Sequence, residues 1–266
     1  MNTFRLVLIY LFMITIADNR LYSFTINRVV MACDANPMYL DFWPLVSQAW
    51  VKLIGIRPVL ALISKDEVKI DTAYGDVVRF DPIEGVSTGL YAQTIRLLLP
   101  ALFPDEISII SDIDMLPIKK SYFVDCVKNI SSDKFVVYRD KAYALTGPYD
   151  QYPMCYNAGK GKLFQEIFGV RDISDIPRII REWANKGFGW NTDEKILYAS
   201  LHAWEKFKTH CVRLGHDVAP RIDRSSWIYK EKKVVEGYYV DSHMVRPYNK
   251  YKGEIDLLAN LLGLQI

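Results

Sequence analysis

The sequence has few cysteines, no excess of charge of either sign and no hydrophobic run long enough to cross a membrane. Its 266 residues carry 33 basic and 31 acidic side chains, for a formal net charge of +2. This near balance argues against an extended polyanion-binding surface, so we expect no nucleic acid among its partners. Half of the residues are hydrophobic, which argues against disorder and supplies the core of one α/β domain, with no room for a large accessory domain.

The four cysteines are scattered along the chain. They form neither C-x-x-C pairs nor a Cys/His cluster with zinc-site spacing. We interpret them as buried thiols, although an even number leaves two disulfides open, and their low density favours a reducing compartment such as the cytoplasm. They are Cys33, Cys126, Cys155 and Cys211.

The opening segment is the part of the sequence with targeting character. Arg5 precedes an apolar run from Leu6 to Ala17, and polar residues follow. This run is shorter than the about 20 residues that a membrane-spanning helix needs. We therefore interpret residues 1–25 as a hydrophobic N-terminal extension, which packs on the domain or contacts a membrane surface peripherally, or as a signal segment. Residues 26–266 would form the catalytic domain.

Hydrophobic patterns and breakers predict alternating strands and helices. Gly55 ends the first helix, and Pro100 ends the second. Short β-branched strands alternating with helices indicate an α/β domain with a mainly parallel central sheet flanked by helices. The predicted strands are residues 28–33, 58–63, 106–110 and 135–138, and the predicted helices are residues 37–53, 88–99, 176–185 and 193–208.

Two carboxylates follow the predicted strand at 106–110. In the segment IISDIDMLP, residues 109–117, Asp112 and Asp114 are separated by one residue. Alternate residues of an extended segment point the same way, and open α/β sheets bind ligands at the carboxyl ends of their strands. Carboxylate oxygens suit Mg²⁺ or Mn²⁺, which keep positions for phosphate oxygens. A D-x-D pair also occurs in solvated loops and helix caps, so that alternative stays open.

With a buried strand before it and Met-Leu-Pro after it, this segment resembles the D-x-D motif of GT-A glycosyltransferases. The resemblance implies a Rossmann-like GT-A fold and transfer of a sugar from a nucleotide diphosphate sugar. In that family the first aspartate tends to reach the ribose and the metal, and the second binds the metal directly. It therefore implies that Asp112 and Asp114 hold Mn²⁺ or Mg²⁺, which neutralises the departing diphosphate.

Two earlier segments extend the resemblance to the donor site. VMACDAN, residues 30–36, is similar to the first strand and loop of the family, where the base and ribose lie. YAQTIRL, residues 91–97, is similar to the helix that presents an arginine to the sugar or to the first aspartate. Arg96 is the candidate for that contact. The alternative is an arginine on the helix surface that pairs with a nearby carboxylate.

Two later segments resemble the sugar and acceptor side. CYNAG, residues 155–159, is similar to a loop in which an asparagine lines the pocket, and GWNTDE, residues 189–194, is similar to an element that opens a helix. The resemblance implies that Asp193 is the catalytic carboxylate. The alternative is that Asp193 and Glu194 only stabilise a helix N-terminus. The donor contacts implied are Ala32, Cys33, Asp34, Arg96, Asp112, Ile113 and Asn157.

A histidine near the end of the chain is the candidate third metal ligand. His243 lies in YVDSHMVRP, residues 239–247, a polar segment after a predicted strand, and it resembles a ligand that several GT-A families take from this region. His216 is the competing candidate, whereas His202 and His210 on a helical stretch need no function. Such a histidine is commoner in retaining families, which favours retention.

The resemblance runs from about Arg28 to Pro247 and is strongest to small virus-encoded members, such as those of large algal viruses. It implies a UDP-sugar as the favoured donor and a glycan or glycoprotein as the acceptor. Two other classes remain open. A metal-dependent phosphatase or nucleotidyltransferase also uses paired carboxylates, but aspartyl-nucleophile phosphatases carry D-x-D on their first strand. A non-catalytic carbohydrate-binding protein would use Trp and Tyr rings to stack on sugars.

Overall fold

Short hydrophobic strands form the centre of the molecule in the computed structural model, which describes residues 23–143 and 150–265. β1, β2 and β4 are almost wholly buried, as expected of strands covered on both faces. The strands are β1 (Ile26–Asp34), β2 (Pro58–Ile63), β3 (Asp76–Phe80), β4 (Ile107–Ile110), β5 (Met115–Pro117), β6 (Phe135–Val137), β7 (Asn157–Lys160), β8 (Cys211–Arg213), β9 (Arg221–Ile222) and β10 (Asp241–His243).

The helices begin and end at recognisable residues. The side chains of Asn36 and Ser87 accept hydrogen bonds from the first turns of α1 and α3, and Gly169 adopts a left-handed conformation (φ 71°) after α4. The helices are α1 (Pro37–Leu40), α2 (Trp43–Ala49), α3 (Thr88–Ile95), α4 (Gly161–Phe168), α5 (Asp175–Ala184), α6 (Thr192–Ala203), α7 (Phe207–His210), α8 (Glu231–Val235) and α9 (Lys252–Leu261).

In the described part of the chain, seven strands form a central sheet in the order β3-β2-β1-β4-β7-β6-β8, and three form a small sheet in the order β5-β10-β9. β1 pairs in parallel with β2 and β4, whereas β7 runs antiparallel between β4 and β6. The predicted mainly parallel sheet flanked by helices is confirmed. The carboxyl ends of β1 and β4 therefore open at the same edge, where α/β sheets bind ligands.

The hydrophobic core lies on both faces of the central sheet. Successive side chains of β1 alternate between the two faces: Val29 and Met31 pack on one, and Val30 and Ala32 on the other. The first face is covered by α2 and α9, and the second by α3, α4, α5 and α6. This packing holds the strand ends in place at the ligand-binding edge.

Four expectations need correction. The helix predicted at 88–99 ends at Ile95, and a separate 3₁₀ helix (Leu99–Leu102) follows it. The helix predicted at 37–53 is divided into α1 and α2, because Pro44 lacks an N–H and lies in the first turn of a new helix. The helix predicted at 193–208 ends at Ala203, since Trp204 is extended (φ −71°, ψ 121°). The segment 239–247, expected to follow a strand, instead follows α8 and itself contains β10.

The described chain begins at Ser23, so residues 1–22 of the predicted N-terminal extension lie outside the described residues. Phe24 is 2% exposed and its N–H donates to the carbonyl of Ile130, so packing of the domain begins before residue 26. Among the described residues, no helix has both the length and the apolar character needed to span a bilayer.

Candidate active site

A cavity of about 690 Å³ lies at the carboxyl ends of β1 and β4. This volume is in the range of small-molecule sites. The cavity wall contains every site residue predicted from the sequence except Asn157. The chain fold thus brings together residues from positions 32 to 246.

The end of β1 forms one side of the cavity through Ala32, Cys33 and Asp34. The Asp34 carboxylate accepts hydrogen bonds from the Thr88 hydroxyl at 2.8 Å and from the Asn36 N–H at 3.1 Å. The bond from Thr88 ties the end of β1 to the start of α3, and the bond from Asn36 is local to the loop after β1. Burial, with a smaller contribution from the charge of Asp34, raises the pKa of the Cys33 thiol, so Cys33 is a neutral wall residue at pH 7.

Asp112 and Asp114 occupy the turn between β4 and β5, which belong to different sheets. The Met115 N–H donates to the Asp112 carbonyl at 3.2 Å, and the Met244 N–H donates to the Asp114 carbonyl at 2.9 Å. Asp112 keeps 28% of its side chain exposed, whereas Asp114 keeps 7%. Ile113, between them, is also in the cavity wall. The turn therefore presents both carboxylates to the cavity at different depths.

Arg96 joins the first aspartate to the predicted catalytic carboxylate. Its Nη2 lies 2.8 Å from Asp193, and its Nη1 donates to Asp112. Burial alone would lower the pKa of Arg96, but the charges of Asp112 and Asp193 outweigh burial and raise it. Arg96 thus stays charged and holds two carboxylates that are 81 residues apart (193 − 112) in the chain. The predicted contact between Arg96 and the first aspartate is present.

Asp193 and Glu194 lie in the first turn of α6 and both face the cavity. Burial raises the pKa of Asp193 to about 6, with Arg96 opposing the shift. Burial raises the pKa of Glu194 to about 7, and its Oε1 accepts a hydrogen bond from the Tyr143 hydroxyl at 2.6 Å. Perturbed carboxyl groups in a cavity are typical of functional sites. Their protonation changes near neutral pH.

Asp114 is surrounded by basic side chains. Its Oδ2 lies 3.0 Å from Nη1 of Arg224, 3.6 Å from Nε of Arg246 and 3.6 Å from Nε2 of His243. Burial alone would raise the pKa of Asp114, but these three partners together lower it, so the group is ionised. The expectation that His243 lies beside the second aspartate agrees with this geometry. His216, the competing candidate, packs against Tyr122 instead and is outside the cavity wall.

Asp112, Asp114 and His243 suit Mn²⁺ or Mg²⁺ in chemical kind, since carboxylates and imidazole are ligands of these ions. Across residues 23–143 and 150–265, however, no three His, Cys, Asp or Glu side chains are grouped closely enough to hold a metal. Arg96 engages the first carboxylate and Arg224 the second. These three residues therefore suit the ion in chemical kind, but in this arrangement they are not grouped to hold it, and Arg224 contacts Asp114 at 3.0 Å.

Asn157 is placed differently from the expectation. It is fully buried in β7, and its Nδ2 donates to the carbonyls of Pro153 and Met154 at 2.8 and 3.0 Å. Those two residues line the cavity and Asn157 does not. The antiparallel pairing of β7 with β4 directs its side chain beneath the wall. Asn157 therefore positions the loop, and the structure gives it no contact with the cavity.

Several cavity residues were missed by the sequence reasoning. Arg221 and Arg224 lie in and after β9, Arg139 follows β6, and Arg246 follows β10. No motif marks Arg139, Arg221 or Arg224, because the carboxylate that each one contacts lies elsewhere in the sequence, whereas Arg246 lies in the segment 239–247 that was singled out only for His243. Trp190, at the cavity rim, is 67% exposed and belongs to a motif that the sequence did indicate.

Solved structures with a similar fold are glycosyltransferases. One is the galactosyltransferase LgtC in complex with donor and acceptor sugar analogues, with a TM-score of 0.50 and 14% identity over 89% of this chain and 95% of that one. Another is the glycosyltransferase GlyE of Streptococcus pneumoniae TIGR4, with a TM-score of 0.49 and 13% identity over 90% of this chain and 62% of that one. The bifunctional glycosyltransferase WbbM has a TM-score of 0.49 and 12% identity over 89% of this chain and 50% of that one.

This chain spans nearly all of LgtC but less than two thirds of GlyE and WbbM. No protein-family profile and no curated protein matches the sequence. At 14% identity the likeness to LgtC establishes the GT-A-type α/β fold alone.

Proposed function

We propose that this chain is a metal-dependent glycosyltransferase that moves a sugar from a nucleotide diphosphate sugar to a hydroxyl acceptor. One observation carries the proposal. Asp112 and Asp114 lie at the carboxyl end of β4 in one cavity with the end of β1, and Arg96 connects Asp112 to the buried Asp193. A GT-A-type fold supports this function only as an analogy, since folds host many activities.

The donor would lie along the shared edge of β1 and β4. Ala32, Cys33 and Asp34 would contact the nucleoside, and Ile113 with Asp112 would contact the ribose and diphosphate. We favour a UDP-sugar as donor, as the sequence resemblance implies. A glycan or glycoprotein would supply the acceptor hydroxyl. Trp190 at the rim supports this, because an exposed indole offers an apolar ring face to a sugar.

Asp112, Asp114 and His243 would hold Mn²⁺ or Mg²⁺. When bound, such an ion neutralises the negative charge that develops on the leaving diphosphate. Arg224 and Arg246 already surround Asp114 and leave positive charge in excess of its single carboxylate. A diphosphate would relieve that excess by taking Arg224 from Asp114, so nucleotide and metal should bind together.

Asp193 would stabilise positive charge on the anomeric carbon or accept a hydrogen bond from a reacting hydroxyl. Its pKa of about 6 leaves it ionised at neutral pH, and Arg96 fixes its orientation. We propose retention of the anomeric configuration, as the His243 resemblance favours. Proton NMR of the first-formed product tests this. An inverted product would instead assign Glu194 as the base on the acceptor hydroxyl.

The sequence alternatives make different predictions. A phosphatase or nucleotidyltransferase would release phosphate or form a phosphodiester from nucleotides, and a carbohydrate-binding protein would bind glycans without nucleotide. We therefore propose a panel of UDP- and GDP-sugars, assayed for hydrolysis and for thermal stabilisation with Mn²⁺, with Mg²⁺ and with EDTA. Hydrolysis or stabilisation that needs both nucleotide sugar and metal supports the transferase. Equal stabilisation in EDTA refutes metal dependence.

We also propose that residues 1–25 form a hydrophobic extension with peripheral membrane contact, or a signal segment. A cytoplasmic location likewise stays a proposal from the sequence. The resemblance to small virus-encoded GT-A glycosyltransferases also stays a prediction. None of these affects the cavity, which is built from residues after 31.

A further inference from the structure

Arg139 and Arg221 line the cavity and share one buried carboxylate, that of Asp241. Asp241 has no exposed surface and accepts hydrogen bonds from Nε and Nη2 of Arg221 at 2.9 and 2.7 Å. Nη2 of Arg139 lies 3.8 Å from the same carboxylate. Burial alone would lower the pKa of each arginine, but the charge of Asp241 outweighs burial and raises both. Two guanidinium groups and one carboxylate leave a net charge of about +1.

Two residues in contact with this group, Tyr156 and Cys155, are neutral at pH 7, whereas the carboxylates of Asp217 and Asp223 also interact electrostatically with Arg139 and Arg221, respectively. The Tyr156 hydroxyl donates to Asp241 at 3.0 Å, and burial holds the pKa of Tyr156 well above its usual value. Cys155 accepts a hydrogen bond from Arg221 at 3.7 Å, and burial raises the pKa of its thiol to about 11. Neither residue cancels the positive charge. This group differs in that respect from Arg96, whose charge is exceeded by Asp112 and Asp193.

Arg139 uses little of its hydrogen-bonding capacity. The residue is 6% exposed, and to the described residues it donates one hydrogen bond, from Nε to the Tyr122 hydroxyl at 3.2 Å. Its Nη2 has no hydrogen-bond partner among those residues. A guanidinium carries five N–H donors in a planar fork, and buried donors without partners are unfavourable. Because Arg139 also lines the cavity, an anion bound there can accept a hydrogen bond that this guanidinium does not make to the described residues.

The position of Arg139 separates it from the donor diphosphate. β4 and β6 both pair antiparallel with β7, so they run in the same direction and end at the same edge. Two strand spacings divide them, or roughly 10 Å. The donor of the proposed reaction would occupy the ends of β1 and β4. Arg139, after β6, lies beyond it on the side left for the acceptor.

We propose that Arg139 and Arg221 bind a compact anion, a carboxylate or phosphoryl group, carried by the acceptor sugar. Arginine suits either group, because its planar fork matches two oxygens of a carboxylate or phosphate. The proposal rests on the proposed glycosyl transfer. It adds the class of acceptor: an acidic or phosphorylated sugar is preferred to its neutral counterpart.

The test compares matched acceptors that differ only in the anion. Methyl β-D-glucuronide is paired with methyl β-D-glucoside, and glucose 6-phosphate with glucose, so the two arms separate carboxylate from phosphoryl recognition. Binding to the full chain with UDP and Mn²⁺ is measured by saturation-transfer NMR, and transfer is measured as kcat/KM. We expect the anionic member of at least one pair to be favoured by about tenfold or more, since charged hydrogen bonds contribute this much.

Arg139→Gln should reduce the ratio of anionic to neutral acceptor by about tenfold. We measure the ratio of kcat/KM for the anionic acceptor to kcat/KM for the neutral one, because a loss of folded protein lowers both values equally and leaves the ratio unchanged. Arg178→Gln is the control, since it removes the same charge from an exposed site on α5 and should leave the ratio unchanged. Competition of methyl β-D-glucuronide against methyl β-D-glucoside on the unmodified chain needs no variant and covers the case in which Arg139→Gln does not fold.

Equal binding of charged and neutral acceptors overturns the proposal, and so does an unchanged ratio in folded Arg139→Gln. A preference for UDP-glucuronic acid over UDP-glucose, without any preference among acceptors, would move the anion to the donor and overturn the assignment. Failure of the proposed function gives a different result from failure of the acceptor assignment alone. The unmodified chain would then neither hydrolyse nor bind any nucleotide sugar, and the acceptor assignment would be wrong as well.

Discussion

Asp114→Asn tests whether Asp114 makes diphosphate binding depend on metal. The Asp114 carboxylate lies 3.0 Å from Arg224 and 3.6 Å from Arg246. In the unmodified chain this one negative charge neutralises part of the charge of two arginines. Asparagine removes the charge at nearly constant volume. Both arginines then remain available to a diphosphate even when no metal is present.

The size of the effect follows from charge and distance. A unit charge about 6 Å from a phosphate contributes about 3 kcal/mol at an effective dielectric constant of about 20. The Arg224 side chain is 34% exposed, so solvent screening reduces the gain to about 1–2 kcal/mol, or about tenfold in Kd. We expect Asp114→Asn to bind UDP in EDTA about tenfold more tightly than the unmodified chain. With Mn²⁺ the order should reverse, because the variant lacks one of the proposed metal ligands.

Calorimetric titration of UDP, in EDTA and in Mn²⁺, measures both affinities on the same protein. Asp223→Asn is the matched control. The Asp223 carboxylate lies 3.8 Å from Nδ1 of His243, on the other side of the ring from Asp114. It also accepts a hydrogen bond from the Ser225 N–H, which an asparagine side chain can accept as well. The control should keep its Mn²⁺ dependence. If Asp114→Asn instead loses UDP affinity equally in EDTA and in Mn²⁺, the charge reasoning is wrong.

Three further predictions concern chemistry, pH and packing. Asp193→Asn should keep metal-dependent UDP affinity and lower turnover by about 10²-fold, as expected for a group acting on the reacting sugar; normal turnover in a transfer assay would reduce Asp193 to a helix-start carboxylate. Glu194 has its folded pKa raised from 4.5 to about 7, so its contribution to stability is present below about pH 4.5 and is lost as pH rises through 7. Glu194→Gln should therefore be more stable than the unmodified chain by on the order of 2 kcal/mol at pH 8 and equally stable at pH 4, as measured by urea unfolding; an equal difference at both pH values would contradict a raised pKa. Gly161→Ala should cost about 2–4 kcal/mol, because its Cβ would lie 2.2 Å from the Phe103 carbonyl oxygen; Gly253→Ala, with open space around it, is the control, and equal melting temperatures for the two variants would refute the clash.

Local sequence determined four of the ten strands of the described chain and the position of the paired carboxylates. The strand predicted at 58–63 has the bounds of β2, and the other predicted strands differ from the observed ones by one or two residues at an end. Such strands are encoded by short hydrophobic runs between breakers such as Gly55 and Pro100. A carboxylate pair placed directly after β4 must lie at the carboxyl edge of the sheet, so Asp112 and Asp114 could be located from the sequence alone.

Tertiary structure alone decided which groups surround those carboxylates. Arg224 is 110 residues from Asp114, and Asp193 is 97 residues from Arg96. The small sheet brings His243 beside Met115, and antiparallel β7 directs Asn157 beneath the wall. Local periodicity encodes which face of a strand is buried, but it does not encode which distant strand pairs with it or in which direction. The charge balance of the cavity depends on those pairings, which is why Arg139, Arg221 and Arg224 emerged only from the folded chain.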